Sequence, residues 1–188
     1  MNTSKGFSLM RYVLGGAFSY MIAGILGGLV LLRYEAILGF PAEGIIGGLL
    51  FGLFIRDHVR ITKTIVASLF AILIGLFGGA FIGLLIYDGY YVPSIISGLL
   101  VGGIFGLIIG AGKRAYPFAL IGAVVFLLGD LVTSMFNVWG GDIYNLTTDM
   151  IGENGYQIAV VAINSLFHGI ALGLGTGLYI KKDRITWH

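Results

Sequence analysis

The sequence contains no cysteine and few charged residues. The absence of cysteine excludes disulfide bonds and metal sites built from thiolates. Charged residues make up 11% of the 188 residues and hydrophobic residues 57%, whereas a typical soluble domain carries roughly 25% charged residues. So few charges cannot cover a surface that faces water. We therefore expect lipid to be the solvent over much of this protein.

Signatures of enzymes and of nucleic-acid binding are missing as well. The sequence has no H-E-x-x-H, no G-x-S-x-G and no P-loop. Its basic residues occur in small groups rather than on one face of a folded domain, as a nucleic-acid partner would require. We therefore expect that the protein is not an enzyme and has no nucleic-acid partner.

Long apolar runs dominate the chain and are separated by short polar segments. They predict six transmembrane helices, over about 12–32, 42–55, 62–87, 92–112, 117–138 and 157–180. Six spans leave no room for a second domain, so 1–188 forms a single transmembrane domain. The second predicted helix is short, and it has a longer alternative that begins near Ala36 and contains Pro41 as a kink. The predicted fold class is an all-α polytopic membrane protein.

The basic residues fall almost entirely on one side of this helix pattern. Of the 11 Lys and Arg residues, ten share a side, namely Lys5, Arg11, Arg56, Arg60, Lys63, Lys113, Arg114, Lys181, Lys182 and Arg184. Only Arg33 lies on the other side, where the predicted loops are acidic and include Glu35 and Glu43. Because positive residues mark the cytoplasmic side, we expect both chain ends inside the cell. We expect the host bilayer to be a prokaryotic cytoplasmic membrane.

Glycine is abundant, with 32 residues, and many glycines stand four positions apart. The fourth predicted helix, for example, contains Gly98, Gly102, Gly106 and Gly110. A four-residue step keeps residues on one helix face, where the missing Cβ lets a neighbouring helix approach closely. We interpret these stripes as packing faces in three glycine-rich hairpins, each made of two consecutive helices. A pore or ligand groove lined by glycine is the alternative.

Two ionisable residues lie deep within the last two predicted helices. Asp130 and His168 are each roughly 18–20 Å from the cytoplasmic helix ends, at 1.5 Å per residue. Ser134 and Asn137 follow Asp130 on its helix face, and Asn164 precedes His168 by one turn. Helices 5 and 6 therefore offer one polar track from the middle of the membrane to the outside. These five residues are the predicted substrate-binding residues.

Three interpretations of Asp130 and His168 remain open. A charged Asp at this depth costs about 3 kcal/mol, so it should face the interior of the bundle. The two residues could form a pair that fastens helices 5 and 6, or line an outward-open site for a solute or a proton. His168 could instead face a haem or chlorin ring, although one histidine cannot supply two axial ligands. No metal site is expected, and the identity of any cofactor stays open.

These observations favour a small-solute transporter, or the substrate-binding membrane subunit of one, with an outward-facing polar site between helices 5 and 6. The alternative is a non-catalytic structural or accessory subunit of a larger membrane complex. Its glycine faces would then dock partner helices, lipid or pigment. The expected partners are membrane lipid, an unidentified small solute and, in the alternative, other membrane subunits.

Overall fold

A computed structural model describes residues 9–34, 36–56, 59–85, 91–110, 115–138 and 154–183. These residues form six α-helices and no strand, so the all-α prediction is confirmed for this part of the chain. The helices are α1 (Leu9–Tyr34), α2 (Ala36–Phe54), α3 (Ile61–Leu85), α4 (Val92–Ile109), α5 (Ala115–Val138) and α6 (Gly155–Asp183).

The helices are apolar on the outside as well as the inside. Five of them are long and apolar enough to cross a membrane, and the apolar part of α2, Leu38–Phe54, is slightly shorter. Large side chains such as Phe81, Leu85 and Met135 are 64%, 69% and 65% exposed. Apolar faces of this extent are unfavourable in water but match the hydrocarbon of a bilayer.

The second helix takes the longer of its two predicted forms. It begins at Ala36 and contains Pro41 within the helix. Proline removes one backbone hydrogen bond, which membrane helices tolerate when neighbouring groups satisfy the freed carbonyl. The earlier start corrects the predicted position of Glu43. Rather than lying at the outer end of the second helix beside the acidic outer loops, Glu43 lies within α2 and is only 2% exposed.

The six helices form a closed ring. Each helix packs against its neighbours in sequence, and α6 returns to pack against α1. Glycine lies at the closest approaches: a Cβ added to Gly16 would meet the Gly169 carbonyl, and a Cβ on Gly98 would meet the Gly122 carbonyl. These glycines therefore let α1 approach α6, and α4 approach α5, at backbone distance. The grouping of the helices into three hairpins stays a prediction.

A chain of buried aromatic side chains lies mainly in one half of the ring. Its members, which we call the aromatic stack, are Tyr20, Phe51, Phe105, Phe118 and Tyr179, with successive ring centroids 6.2–6.5 Å apart. All five side chains are buried. Apart from Tyr20, they lie where α2, α4 and α6 end and α5 begins. We call this end the aromatic half, and the opposite end, where α2, α4 and α6 begin, the cavity half.

Candidate functional site

A cavity of about 240 Å³ lies in the cavity half and is lined by α2 to α6. Its polar lining consists of Glu43 from α2, Ser94 and Ser97 from α4, Asp130 from α5, and Asn164, Ser165 and His168 from α6. The remaining lining is apolar and includes Phe40, Leu76 and Phe167. A concave, mostly apolar site with a few convergent polar groups is the usual form of a small-molecule site.

Glu43 and His168 form the deeper polar contact of this cavity. His168 Nδ1 lies 2.8 Å from Glu43 Oε1, so the contact joins α6 to α2. Both side chains are almost fully buried. The imidazole also stacks on Phe126, with ring centroids 4.4 Å apart and planes 19° apart. Together these two contacts fix the orientation of the imidazole ring.

Asp130 has a different partner from the one that its depth predicts. The Ser94 hydroxyl donates a hydrogen bond to Asp130 Oδ2 and joins α4 to α5. His168 stacks on Phe126, which lies one helical turn before Asp130, so the two ionisable groups are offset by about 6 Å along α5. The direct Asp130–His168 pair, one of the three interpretations, is therefore replaced by two separate contacts, although both residues line the same cavity.

The other predicted residues differ in their placement. Asn164 lines the cavity, and its Oδ1 accepts a hydrogen bond of 2.8 Å from the Thr133 hydroxyl. Ser134 is exposed and is not part of the lining. Asn137 belongs to α5, but its side chain lies outside the described residues. The structure thus brings three of the five predicted residues together, namely Asp130, Asn164 and His168.

Sequence reasoning missed Glu43 and the serines of α4 as site residues. The available signal for Glu43 was its position just after Pro41, inside an apolar run that continues on both sides. Ser94 and Ser97 stand three apart at the start of α4, which places them on one helix face. Short polar side chains of this kind are common in membrane helices as packing residues, so their spacing alone did not indicate a site.

Ser165 is an additional polar group without a partner. Its side chain is buried, with a relative exposure of 1%, and its Oγ has no hydrogen-bond partner among the described residues. A buried hydroxyl left unpaired is unfavourable, and most such groups in proteins bind protein, water or ligand. Although Ser165 belongs to the lining of the cavity, its Oγ faces Gly24 of α1 and has almost no accessible surface, so a molecule in the cavity does not reach this hydroxyl.

The surroundings of His168 bear on the haem or chlorin interpretation. One ring nitrogen contacts Glu43, and one ring face is covered by Phe126. Within the described ranges, no group of three or more His, Cys, Asp or Glu residues could hold a metal ion. The haem or chlorin interpretation stays a prediction.

No known protein family, curated protein or solved structure matches the chain. The class of protein therefore rests on the fold and the cavity themselves. In the described residues, six helices form an apolar bundle, and five of them are long enough to span a bilayer. Such a bundle is consistent with an integral membrane protein, here one with a mostly apolar cavity that several polar side chains line.

Proposed function

We propose that this protein binds a small polar solute in its cavity and acts as a transporter, or as the substrate-binding membrane subunit of one. The observation that carries the proposal is the presence of Glu43, Asp130 and His168 around a single cavity inside an apolar bundle. Ionisable groups inside a membrane are costly and usually mark a solute or proton pathway. The cavity also has the mixed apolar and polar lining of a ligand site.

The difference between the two halves of the ring supports a cavity that opens on one side of the membrane only. The cavity occupies one half, and four of the five buried residues of the aromatic stack lie in the other. If the basic residues mark the cytoplasmic side, the cavity half faces outward and both chain ends face the cytoplasm. Passage of a solute through the centre of the ring would then require the aromatic stack to separate, as alternating access requires.

A second candidate function is a structural or accessory subunit of a membrane complex. It is favoured by the way in which the polar residues hold helices together: Glu43 contacts His168, Ser94 contacts Asp130, and Thr133 contacts Asn164. Each contact joins two helices, and polar contacts of this kind stabilise membrane bundles. In such a protein the interior would be dry, and the apolar outer faces would dock other helices, lipid or pigment.

Whether water reaches the cavity distinguishes the two functions. The chain lacks cysteine, so Asn164→Cys introduces a single thiol into the cavity lining. In this variant the Thr133 hydroxyl loses Asn164 as an acceptor but keeps its hydrogen bond to the Gly129 carbonyl. The substitution therefore leaves no unpaired hydroxyl at Thr133. We expect a small, water-soluble methanethiosulfonate reagent to modify Asn164→Cys in native membranes. Leu76→Trp, which places a larger side chain in the cavity, should slow this modification.

The matched control for Leu76→Trp is Ile74→Trp, two residues away on α3, where Ile74 is 50% exposed on the outer face. If the cavity is a solute site, modification of the Asn164→Cys thiol should be slower with Leu76→Trp and unchanged with Ile74→Trp. Two results would contradict the transporter proposal and favour the accessory subunit. One is an unreactive thiol in Asn164→Cys, and the other is the same rate of thiol modification with Leu76→Trp as with Ile74→Trp.

A further inference from the structure

A second concave surface lies on the outside of the ring, between α1 and α2. It is a groove of about 410 Å³ and shares no residue with the cavity. Its lining is mostly apolar, and the side chains of Leu14, Phe18 and Ile22 are 47%, 57% and 44% exposed. Because the groove opens outward from an apolar bundle, the molecule that fills it in a membrane comes from the lipid or from another protein.

Three residues shape the end of this groove at which α1 begins and α2 ends. A Cβ added to Gly15 would collide with the Phe54 ring, so the missing Cβ lets Phe54 pack directly against the backbone of α1. The Arg11 guanidinium lies over this ring, with Cζ 5.3 Å from the ring centroid. A cation–π contact of this kind holds the guanidinium beside the groove, whose lining includes Arg11.

Among the described lining residues of the groove, Arg11 is the only charged one. The lining contains no Asp or Glu, and no acidic side chain pairs with Arg11 within the part of the chain that the structure describes. A guanidinium stays charged at every physiological pH. Arg56 and Arg60, between α2 and α3, are exposed at the same end of the bundle. This end therefore attracts anionic lipid headgroups.

The length of the groove matches one leaflet of a bilayer. Arg11 belongs to the first turn of α1, and Ile22 lies about 16 Å further along the helix at 1.5 Å per residue. Half of a hydrocarbon core ~30 Å thick is about 15 Å. With Arg11 at the level of the headgroups, the apolar groove extends through the hydrocarbon of a single leaflet, which is the space that the acyl chain of a phospholipid occupies.

We propose that this groove binds one anionic phospholipid, with the lipid phosphate at Arg11 and an acyl chain along Leu14, Phe18 and Ile22. Such a lipid supplies both a negative charge for the guanidinium and an apolar chain for the groove. A second copy of the chain fits less well, because a helix packed on the groove would cover Arg11 without a negative charge unless an acid lay opposite it. The lipid site and the solute cavity are separate, so either can exist without the other.

The test compares two lipids with the same dioleoyl chains, phosphatidylglycerol and phosphatidylcholine, added to the full chain in a neutral detergent. We expect the anionic phosphatidylglycerol to raise Tm at lower concentration than the zwitterionic phosphatidylcholine, because only its net charge complements Arg11. In Arg11→Gln the phosphatidylglycerol concentration for half of the maximal Tm shift should rise about fivefold. Arg33→Gln, at the opposite end of α1, is the matched control and should leave this concentration unchanged.

A second pair of variants tests the groove itself. Leu14→Trp places a larger side chain in the groove and should displace the acyl chain. Its matched control is Leu29→Trp, because Leu29 is 48% exposed on the same helix but lies outside the groove. Native mass spectrometry should therefore detect bound phosphatidylglycerol on the wild-type chain and on Leu29→Trp, and much less of it on Leu14→Trp and on Arg11→Gln.

Several outcomes would overturn the lipid site. They are an equal Tm shift with the two lipids, the same half-maximal concentration in Arg11→Gln as in Arg33→Gln, and equal lipid retention by Leu14→Trp and Leu29→Trp. Inorganic phosphate that raises Tm as much as phosphatidylglycerol at the same concentration would show an anion site without an acyl chain. A lipid-free dimer that dissociates in Leu14→Trp would assign the groove to a contact between two copies of the chain.

Discussion

Glu43 and His168 illustrate how a buried polar pair affects stability. Their contact of 2.8 Å crosses from α2 to α6, and both side chains are almost fully buried. Removing one partner leaves the other without a hydrogen bond in a region that excludes water, which is more costly than removing both. The contribution of the pair is therefore visible only when single and double variants are compared.

We predict energetic coupling between these two residues. Glu43→Ala, His168→Ala and the double variant should give a coupling free energy of about 0.6–1.7 kcal/mol, the range of polar pairs between membrane helices. The free energy of unfolding would be measured in mixed detergent micelles. The control cycle combines Asp130→Asn with His168→Ala, whose side chains have different partners. Equal or larger coupling in the control cycle would show that Asp130 is the true partner of His168.

The site was only partly predictable at the level of single residues. Asp130 and His168 are recognisable because they interrupt apolar runs, and Asn164 follows from its spacing of four from His168. Their partners were not predictable, because counting residues from helix ends assumes that neighbouring helices are aligned. The stacking of His168 on Phe126 shows that α5 and α6 are offset by about one turn. Glu43 was missed because Pro41 resembles a helix start.

At the scale of helices, glycine contacts determine how closely neighbouring elements pack. Gly102 and Gly103 are adjacent in α4 but differ in their surroundings. A Cβ at Gly102 would collide with the Phe118 carbonyl oxygen and lie 3.2 Å from Ala119 Cα, both in the backbone of α5. A Cβ at Gly103 would meet only the Ala119 side chain, at an ordinary 3.5 Å. Of these two glycines, only Gly102 lies where the backbones of α4 and α5 approach closely.

We predict opposite effects for alanine at these two positions. Gly102→Ala should force α4 and α5 apart and destabilise the protein by about 1–3 kcal/mol, because well-packed interiors do not admit extra atoms. Gly103→Ala should leave stability unchanged or increase it by up to about 1 kcal/mol, since alanine favours helix over glycine. Thermal unfolding in detergent measures both. Similar losses of stability in both variants would show that the contact between α4 and α5 is wrongly placed.

The helices were more predictable than their contacts. Hydropathy located all six, because a bilayer requires long apolar segments whose backbone groups are satisfied within each helix. The predicted range 117–138, for example, lies within α5, which begins only two residues earlier at Ala115. The closure of α6 on α1 was not predictable, because glycine stripes occur in most of the helices and do not specify which stripes meet.

At the scale of the whole molecule, the ring combines two different interiors. One half encloses polar residues around a cavity, and the aromatic stack occupies the other. This arrangement suits the proposed transporter, since a continuous polar channel would leak and a uniformly apolar interior would bind no polar solute. We therefore expect water to reach the cavity half from one side of the membrane and not to reach the aromatic half.

Two positions on α6 test this claim most directly. Asn164 lines the cavity, whereas Thr176, twelve residues later in the aromatic half, is fully buried. With an impermeant thiol reagent outside intact cells, we predict rapid modification of Asn164→Cys and no modification of Thr176→Cys. Modification of both variants would contradict the closed aromatic half, and modification of neither from either side of the membrane would contradict the water-filled cavity.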